Sequence, residues 1–199
     1  MRIALDRSPQ IMDFYANPEA HDPYVFIKQY GSWLRAKAQM EDITPYEQSL
    51  LGSPGEAFLE HLERELSPSR GFKMVVLTCL IATEPDRTEW QVEEIAAAFK
   101  GYYLEHPERL WDYADMARAP DPAAYPLSRV ASHVLRNPLH FLSNKPASWF
   151  ALDSERSTFG LVPPLRDFWR KGPFRELVRD RVQFARERYF QRRRLAKKA

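Results

Sequence analysis

The sequence predicts a mainly α-helical fold with one short β-hairpin and a long basic C-terminal helix. Most apolar residues recur at steps of three or four, as they do on the buried face of a helix. Only the segment 149–162 has two short β-prone runs around a polar turn. Residues 170–199 hold twelve Lys or Arg and three Asp or Glu, a net charge of +9, whereas the whole chain carries +2. Residues 1–169 are therefore an acidic body with a charge of −7.

Length and composition predict one domain, or one domain with appendages, in the cytoplasm. Twelve Phe and five Trp in 199 residues can fill a core, and sixteen Pro with only seven Gly favour stiff loops. The single cysteine, Cys79, lies in an apolar run and is expected to be a small buried residue in a reducing compartment. No stretch approaches the roughly 20 apolar residues of a membrane span, and the N-terminus lacks the pattern of a secretion signal. We therefore expect no membrane partner.

The first part of the chain is predicted to be an N-terminal helical arm over residues 1–50. Apolar and aromatic residues at helical spacing predict one helix over 24–40, preceded by an extended segment. A further helix is predicted to begin after Ser53, which can cap it, with Pro54 at the first helical position and Glu56 completing a capping box.

Three helices are predicted in the middle of the chain. The apolar run 72–82 is longer than a typical strand and predicts a buried central helix. The second helix, over 88–103, is expected to start with a capping box that Gln91 completes. The third, over 126–142, is expected to break or kink at the Asn-Pro step before Pro138, because a proline disfavours helical backbone in the preceding residue.

Three helices followed by a hairpin have the order of a winged helix-turn-helix. In that arrangement the third helix can enter the major groove of DNA and the hairpin, or wing, can touch the backbone. We therefore predict a winged-helix-like core over 51–164 and a basic C-terminal helix over 165–199. The predicted contacts are Arg129, His133 and Arg136 from the third helix, and Lys145 and Arg156 from the wing.

The C-terminal helix predicts a function class. Its apolar residues recur at helical spacing with arginines between them, so one face packs and the other is charged. An ordered basic helix on an acidic body points first to nucleic acid, with DNA favoured. The expected electrostatic contribution comes from Arg175, Arg179, Arg186, Arg192, Arg193 and Arg194.

An alternative is a protein-interaction module whose basic helix docks on an acidic helicase or nuclease partner. The two readings differ in where the cations lie. Cations of the third helix and of the C-terminal helix on one surface favour nucleic acid, whereas cations on opposite faces favour partner docking.

Four short motifs resemble a known family. The segment SRGFKMVVL at 69–77 resembles the element sYKMpvLLa that follows the motor in many bacterial DEAD/DEAH-box superfamily 2 helicases. NPLHFL at 137–142 resembles the family's NPIxFL run, WF at 149–150 its xFF, and RDRVQFARERYF at 179–190 its kDIIxxRxxxYFxxR ending. The resemblance covers roughly residues 50–195.

The resemblance implies an accessory region of the kind found in restriction and phage-defence helicases, which grips nucleic acid or a partner. The chain has no GxxxxGK[ST] phosphate loop and no acidic DEAD-type box, so we expect no ATP hydrolysis. Segment 129–134 also lacks the polar-aromatic pattern associated with the family. The expectation is a non-catalytic antiviral-defence or DNA-processing module without a cofactor.

No catalytic or metal site is predicted from the residues. A single cysteine excludes a cysteine-rich zinc site, and none of the five histidines stands in an HExxH frame. Arg129-xxx-His133 and Arg136-xxx-His140 resemble the Arg/His pair of HEPN-type ribonucleases, but that family places four or more residues within the pair and this chain three. A ribonuclease is therefore kept as a weaker hypothesis.

Overall fold

The computed structural model describes residues 7–17, 19–66, 70–144 and 148–196. The mainly helical fold and the long C-terminal helix confirm the prediction. No described helix combines the length and the apolar character that a bilayer span needs. The α-helices of the described chain are α1 (Ile11–Ala16), α2 (Pro23–Tyr30), α3 (Trp33–Gln39), α4 (Pro45–Leu50), α5 (Pro54–Glu65), α6 (Phe72–Ile81), α7 (Val92–Glu105), α8 (Ala114–Ala117), α9 (Leu127–Val134), α10 (His140–Ser143), α11 (Pro163–Trp169) and α12 (Gly172–Ala196).

A short strand, β1 (Glu89–Gln91), lies where the start of a helix was predicted. Helix α7 begins only at Val92, and the Gln91 backbone N–H donates to Glu94 Oε2 at 3.1 Å, so Gln91 is the cap rather than the capping partner. Trp90 is buried between two exposed neighbours, which is the alternation of a strand. Three residues are too few for that alternation to be recognised in the sequence.

The sheet connects the start of α7 to the predicted hairpin. Strands β2 (Phe150–Asp153) and β3 (Thr158–Leu161) form the hairpin, and β1 pairs with the other edge of β3, so the strand order is β1-β3-β2 with antiparallel pairing throughout. Phe159 of the buried central strand lies opposite Trp90 in β1 and opposite Leu152 in β2.

The third predicted helix does not break at Pro138. Proline has no N–H to donate, and its ring clashes with the carbonyl four residues earlier in a regular helix. A π-helical turn (Leu135–Leu139) absorbs this conflict and joins α9 to α10, so the chain is helical from Leu127 to Ser143. One continuous helical element therefore carries the residues on both sides of the proline.

Helix α6 is the centre of the core. It is apolar on all sides and contacts α7, α12 and the π turn. One cluster of buried side chains runs from Leu34 in the N-terminal arm to Phe190 in α12, so the arm, the predicted winged region and the C-terminal helix share a core. Cys79 of α6 is half-buried, and burial raises its pKa to about 12, as expected for an inert thiol.

The N-terminal arm is folded onto α12 rather than extended. The carboxylate of Asp180 accepts hydrogen bonds from the backbone N–H groups of Ile11 and Met12, each at 3.0 Å, in the first turn of α1. The single helix predicted over 24–40 is two helices, because Gly31 has φ of +93° and Ser32 caps α3. The helical spacing of apolar residues continues across this corner, so the end of α2 and the start of α3 could not be recognised from the sequence.

Helix α5 begins after the predicted N-cap Ser53, but the Glu56 carboxylate does not bind the backbone N–H of Ser53 as a capping box requires. Ser53 Oγ accepts the backbone N–H groups of Gly55 and Glu56. The Glu56 carboxylate instead accepts the Gly52 N–H at 2.6 Å and the Nε of Arg35 at 2.8 Å. The cap therefore also links α5 to α3 of the arm.

Candidate nucleic-acid interface

The exposed side of α9 and α10 contains no carboxylate. Residues 127–144 include no Asp or Glu, although the body of the protein is acidic. We call this surface the α9–α10 face, and its exposed members are Leu127, Ser128, Arg129, Ser132, Arg136, His140, Phe141 and Asn144. Side chains three and four residues apart lie on one side of a helix, which accounts for this grouping.

Arg136 lies at the middle of the α9–α10 face. Its Nε donates to the Ser132 carbonyl at 3.1 Å, while the rest of the guanidinium is exposed. One turn further on, His140 Nε2 and Asn144 Nδ2 are 3.0 Å apart. Arg, Ser, His and Asn are side chains that hydrogen-bond to phosphates and base edges.

Arg129 lies at the more acidic end of the α9–α10 face. It borders a shallow hollow that Asp115 and Asp121 also line. Arg118 also lines this hollow and offsets one of the two carboxylates, so the potential is less positive near Arg129 than near Arg136.

His133 was predicted to be part of the groove face, but the structure turns it inward. Its ring centroid lies 4.8 Å from that of Phe72 and 4.6 Å from that of Tyr113. Burial lowers the pKa of His133, so the imidazole is neutral at pH 7. Its Nε2 is buried and has no hydrogen-bond partner among the described residues. His133 packs α9 against α6 and does not belong to the α9–α10 face.

Two exposed members of the α9–α10 face are apolar. Phe141 is 50% exposed and Leu127 is 41% exposed. The ammonium of Lys73, from α6, lies 5.9 Å from the centroid of the Phe141 ring. Exposed aromatic and aliphatic groups beside cations can contact bases or a partner protein.

The wing has little positive charge at its tip. Arg156 is well exposed there, but Asp153 and Glu155 flank it. Asp153 Oδ1 accepts the backbone N–H groups of Glu155 and Arg156 at 3.0 Å, and its Oδ2 lies 3.8 Å from the Arg156 Nε. The carboxylates outnumber the guanidinium at this tip, which disfavours contact with phosphates. Lys145, the other predicted wing contact, lies outside the described residues.

Three of the six predicted arginines of α12 are bound within the protein. Arg175 is buried and donates to the carbonyl oxygens of Ile81 and Thr83 just after α6. Arg179 pairs with Glu176 one turn earlier. Arg186 donates to Thr78 Oγ1 at 3.1 Å and pairs with Glu187 at 3.1 Å.

The other three, Arg192, Arg193 and Arg194, are exposed on the last turns of α12, where Arg193 lies beside Tyr189. The electrostatic contribution predicted for the whole helix is therefore concentrated at its C-terminal end.

Arg186 of α12 and Phe141 of the α9–α10 face contact α6 on different sides. Thr78 of α6 contacts Arg186 of α12, whereas Lys73 lies beside Phe141 of α10. Five residues separate Thr78 from Lys73, which corresponds to about 140° around a helix. Arg186 and the α9–α10 face therefore contact α6 on different sides of that helix.

Sequence reasoning missed His140, Phe141 and Asn144 as members of this face. The signal available was the absence of carboxylates over 127–144, but the assumed break at Pro138 placed these residues on a separate turn. No group of three or more His, Cys, Asp or Glu suited to a metal ion occurs in the described ranges.

Comparison with known proteins gives no relative: no protein-family model, curated protein or solved structure matches the chain significantly. The function has to be inferred from the geometry.

Proposed function

We propose that residues from α6 to β3 form a winged helix-turn-helix that binds nucleic acid, with DNA favoured. The proposal is supported by the element order α6, β1, α7, α9, β2, β3 and by the strand order β1-β3-β2. The first strand lies between the first two helices and pairs beside the hairpin, as a winged helix requires. The short elements between α7 and α9 are an insertion into that arrangement.

The α9–α10 face is the observation that carries the proposal. It belongs to the third helix, the element that enters the major groove in helix-turn-helix proteins. In this position Arg136 would reach a guanine edge or a phosphate, and Asn144 and His140 would hydrogen-bond to bases or backbone. Because this surface lacks carboxylates on an otherwise acidic body, it is a favourable place for a polyanion to approach.

The role of an accessory module in helicase-linked phage defence or DNA processing rests on the family resemblance of the four motifs. In the structure most of the first motif lies in α6 and the last motif lies in α12, and both helices contribute buried side chains to the core. In this role the module grips nucleic acid without performing chemistry, and another subunit supplies ATP hydrolysis.

The test is fluorescence anisotropy with labelled single- and double-stranded DNA and RNA at about 50 mM salt. Arg136→Gln should weaken binding about tenfold, the effect of losing one strong base or phosphate contact. Arg170→Gln is the matched control, because Arg170 is exposed and pairs with Asp167 away from this face. No binding to any of the four ligands, or equal losses in both variants, would reject the proposal.

A second candidate is a protein-interaction module. The specific observation in its favour is that α12 and the α9–α10 face contact different sides of α6, together with the acidic wing tip. In this case the partner is an acidic surface of a helicase or nuclease, contacted by α12. This candidate predicts that a purified acidic partner binds equally to wild type and Arg136→Gln and more weakly to variants of the α12 terminus.

A further inference from the structure

A cavity lined by arginine and tyrosine side chains lies at the C-terminal end of α12, where α2 of the arm meets it. We call it the Arg–Tyr cavity. Its volume is about 230 Å³, and no carboxylate occurs among its described lining side chains. The lining residues are Tyr24, Leu66, Ala185, Arg188, Tyr189, Arg192 and Arg193.

Arg188 is held in a fixed position at this cavity. Its guanidinium carbon lies 3.9 Å from the centroid of the Tyr24 ring and 5.7 Å from that of Phe184. Its Nη1 donates to Asp22 Oδ1 and its Nη2 lies beside Asp22 Oδ2, each at 3.3 Å. The side chain is only 17% exposed, so the orientation of its planar group is set before any ligand arrives.

Arg192 lies one turn beyond Arg188 and faces the same cavity. It is exposed, and no hydrogen bond or ion pair to Arg192 is found within the described residues. Like charges four residues apart on a helix repel each other. An anion between the two guanidinium groups would turn that repulsion into attraction.

Arg193 and Tyr189 form the remaining polar wall. The guanidinium carbon of Arg193 lies 5.9 Å from the Tyr189 ring centroid. The Tyr189 hydroxyl donates to Asp112 Oδ1 at 2.6 Å, so this ring is anchored to the protein core. Arg193 on the exposed rim therefore lies beside a ring that is anchored to the core.

Helix-dipole stabilisation does not account for this arrangement. Cations in the last turn of a helix interact favourably with its negative end, and Arg193 and Arg194 are in that turn. Arg188 is two turns from the end of α12 and stacks on a residue of a different helix. Of the two arginines in the last turn, Arg193 lines the cavity and Arg194 does not, although the dipole acts on both.

We propose that the Arg–Tyr cavity binds a phosphate monoester, such as a nucleoside 5′-monophosphate or the 5′-terminal phosphate of a nucleic-acid strand. A monoester carries nearly two negative charges at pH 7 and three strongly accepting oxygens, which match three guanidinium groups better than a singly charged diester does. The volume is below the roughly 300–1,000 Å³ of sites for drug-sized ligands, so the cavity admits the phosphate and a small part of its carrier.

This inference does not rest on the proposed function, because the cavity is separate from the α9–α10 face. The experiment is isothermal titration calorimetry at about 50 mM salt with inorganic phosphate, adenosine 5′-monophosphate and adenosine. Wild type should bind both phosphates and not adenosine. Tighter binding of the nucleotide than of phosphate identifies a nucleotide ligand, and equal binding identifies free phosphate. A 5′-phosphorylated oligonucleotide is then compared with its 5′-hydroxyl form. Tighter binding of the phosphorylated form shows that the cavity recognises the end of a strand and not its backbone.

Arg192→Gln should weaken binding of inorganic phosphate and of the nucleotide at least tenfold, which corresponds to about 1.4 kcal/mol. Arg194→Gln is the matched control, because Arg194 is an exposed arginine two residues further along α12 that does not line the cavity. The affinity of this variant for both phosphates should stay within about twofold of wild type. Arg136→Gln should also bind phosphate normally, whatever its effect on nucleic acid. Equal losses in Arg192→Gln and Arg194→Gln, or no binding of either phosphate by wild type, would overturn the proposal.

Discussion

Asp180 attaches the N-terminal arm to α12, and Asp180→Asn tests this attachment. Its Oδ2 accepts the Ile11 N–H and its Oδ1 accepts the Met12 N–H, both at 3.0 Å. Arg181 Nη1 also lies 3.4 Å from Oδ2. Asparagine keeps the shape of the side chain, but its NH2 group cannot accept a hydrogen bond, and its remaining oxygen is neutral.

The structure sets the size of the expected effect. A hydrogen bond to a charged group contributes about 1.5–3 kcal/mol, and a neutral one about 1 kcal/mol. Asp180→Asn removes one charged bond and weakens the other. Burial raises the pKa of Asp180, which means that desolvation of the carboxylate offsets part of this gain. We therefore expect the arm to lose about 2 kcal/mol of stability.

Hydrogen–deuterium exchange with mass spectrometry measures this loss locally. Backbone amides in α1 to α3 should exchange about 30-fold faster in Asp180→Asn, which corresponds to about 2 kcal/mol, while α6 should remain protected. Asp167→Asn is the control, because Asp167 is exposed and its pair with Arg170 contributes at most about 1 kcal/mol. Unchanged exchange of the arm in Asp180→Asn would refute the reasoning.

Two further predictions concern the core. Gly71→Ala should lower the free energy of unfolding by about 1–3 kcal/mol, because the new Cβ would lie 2.9 Å from Asp112 Oδ2 and 3.0 Å from Phe190 Cζ. Gly101→Ala, inside α7 with no atom within 4 Å of a new Cβ, should instead add up to about 1 kcal/mol. Urea titrations measure both, and a neutral Gly71→Ala would contradict the packing. Burial lowers the pKa of His133 below its ordinary 6.5. Between these two pKa values the unfolded state binds more protons than the folded state. The free energy of unfolding should therefore fall as the pH falls from about 6.5 towards the pKa of the folded state. His133→Phe should remove this part of the pH dependence, measured as urea midpoints from about pH 7.5 to 5, and an unchanged dependence would contradict it.

Local signals in the sequence predicted the helices and the hairpin well. The capping serine at Ser53 and the polar turn of the hairpin lie where local chemistry requires them. The strand β1 could not be predicted, because its only reason to be extended is pairing with β3, about seventy residues later. The break or kink expected at Pro138 takes the form of a π turn, and the helix continues past the buried proline.

The charged side chains of α12 were the least predictable part of the site. By spacing alone, Arg175 and Arg192 are both arginines on a charged face. Arg175 is buried because it satisfies two carbonyls at the end of α6, and Asp180 is buried because it caps α1. Their partners lie 94 and 169 residues away in the sequence, so only the folded structure separates structural cations from available ones.

The most direct test of the central claim is the salt dependence of duplex DNA binding. Each phosphate contact that is lost should reduce the slope of log affinity against log salt by about 0.9. If Arg129 and Arg136 contact the DNA backbone, the slope of Arg129→Gln/Arg136→Gln should be shallower than that of wild type by about 1.8. The double control Arg170→Gln/Lys171→Gln removes two exposed cations next to α12 and should leave the slope unchanged. An unchanged slope in Arg129→Gln/Arg136→Gln, or the same reduction in both double variants, would contradict binding through the α9–α10 face.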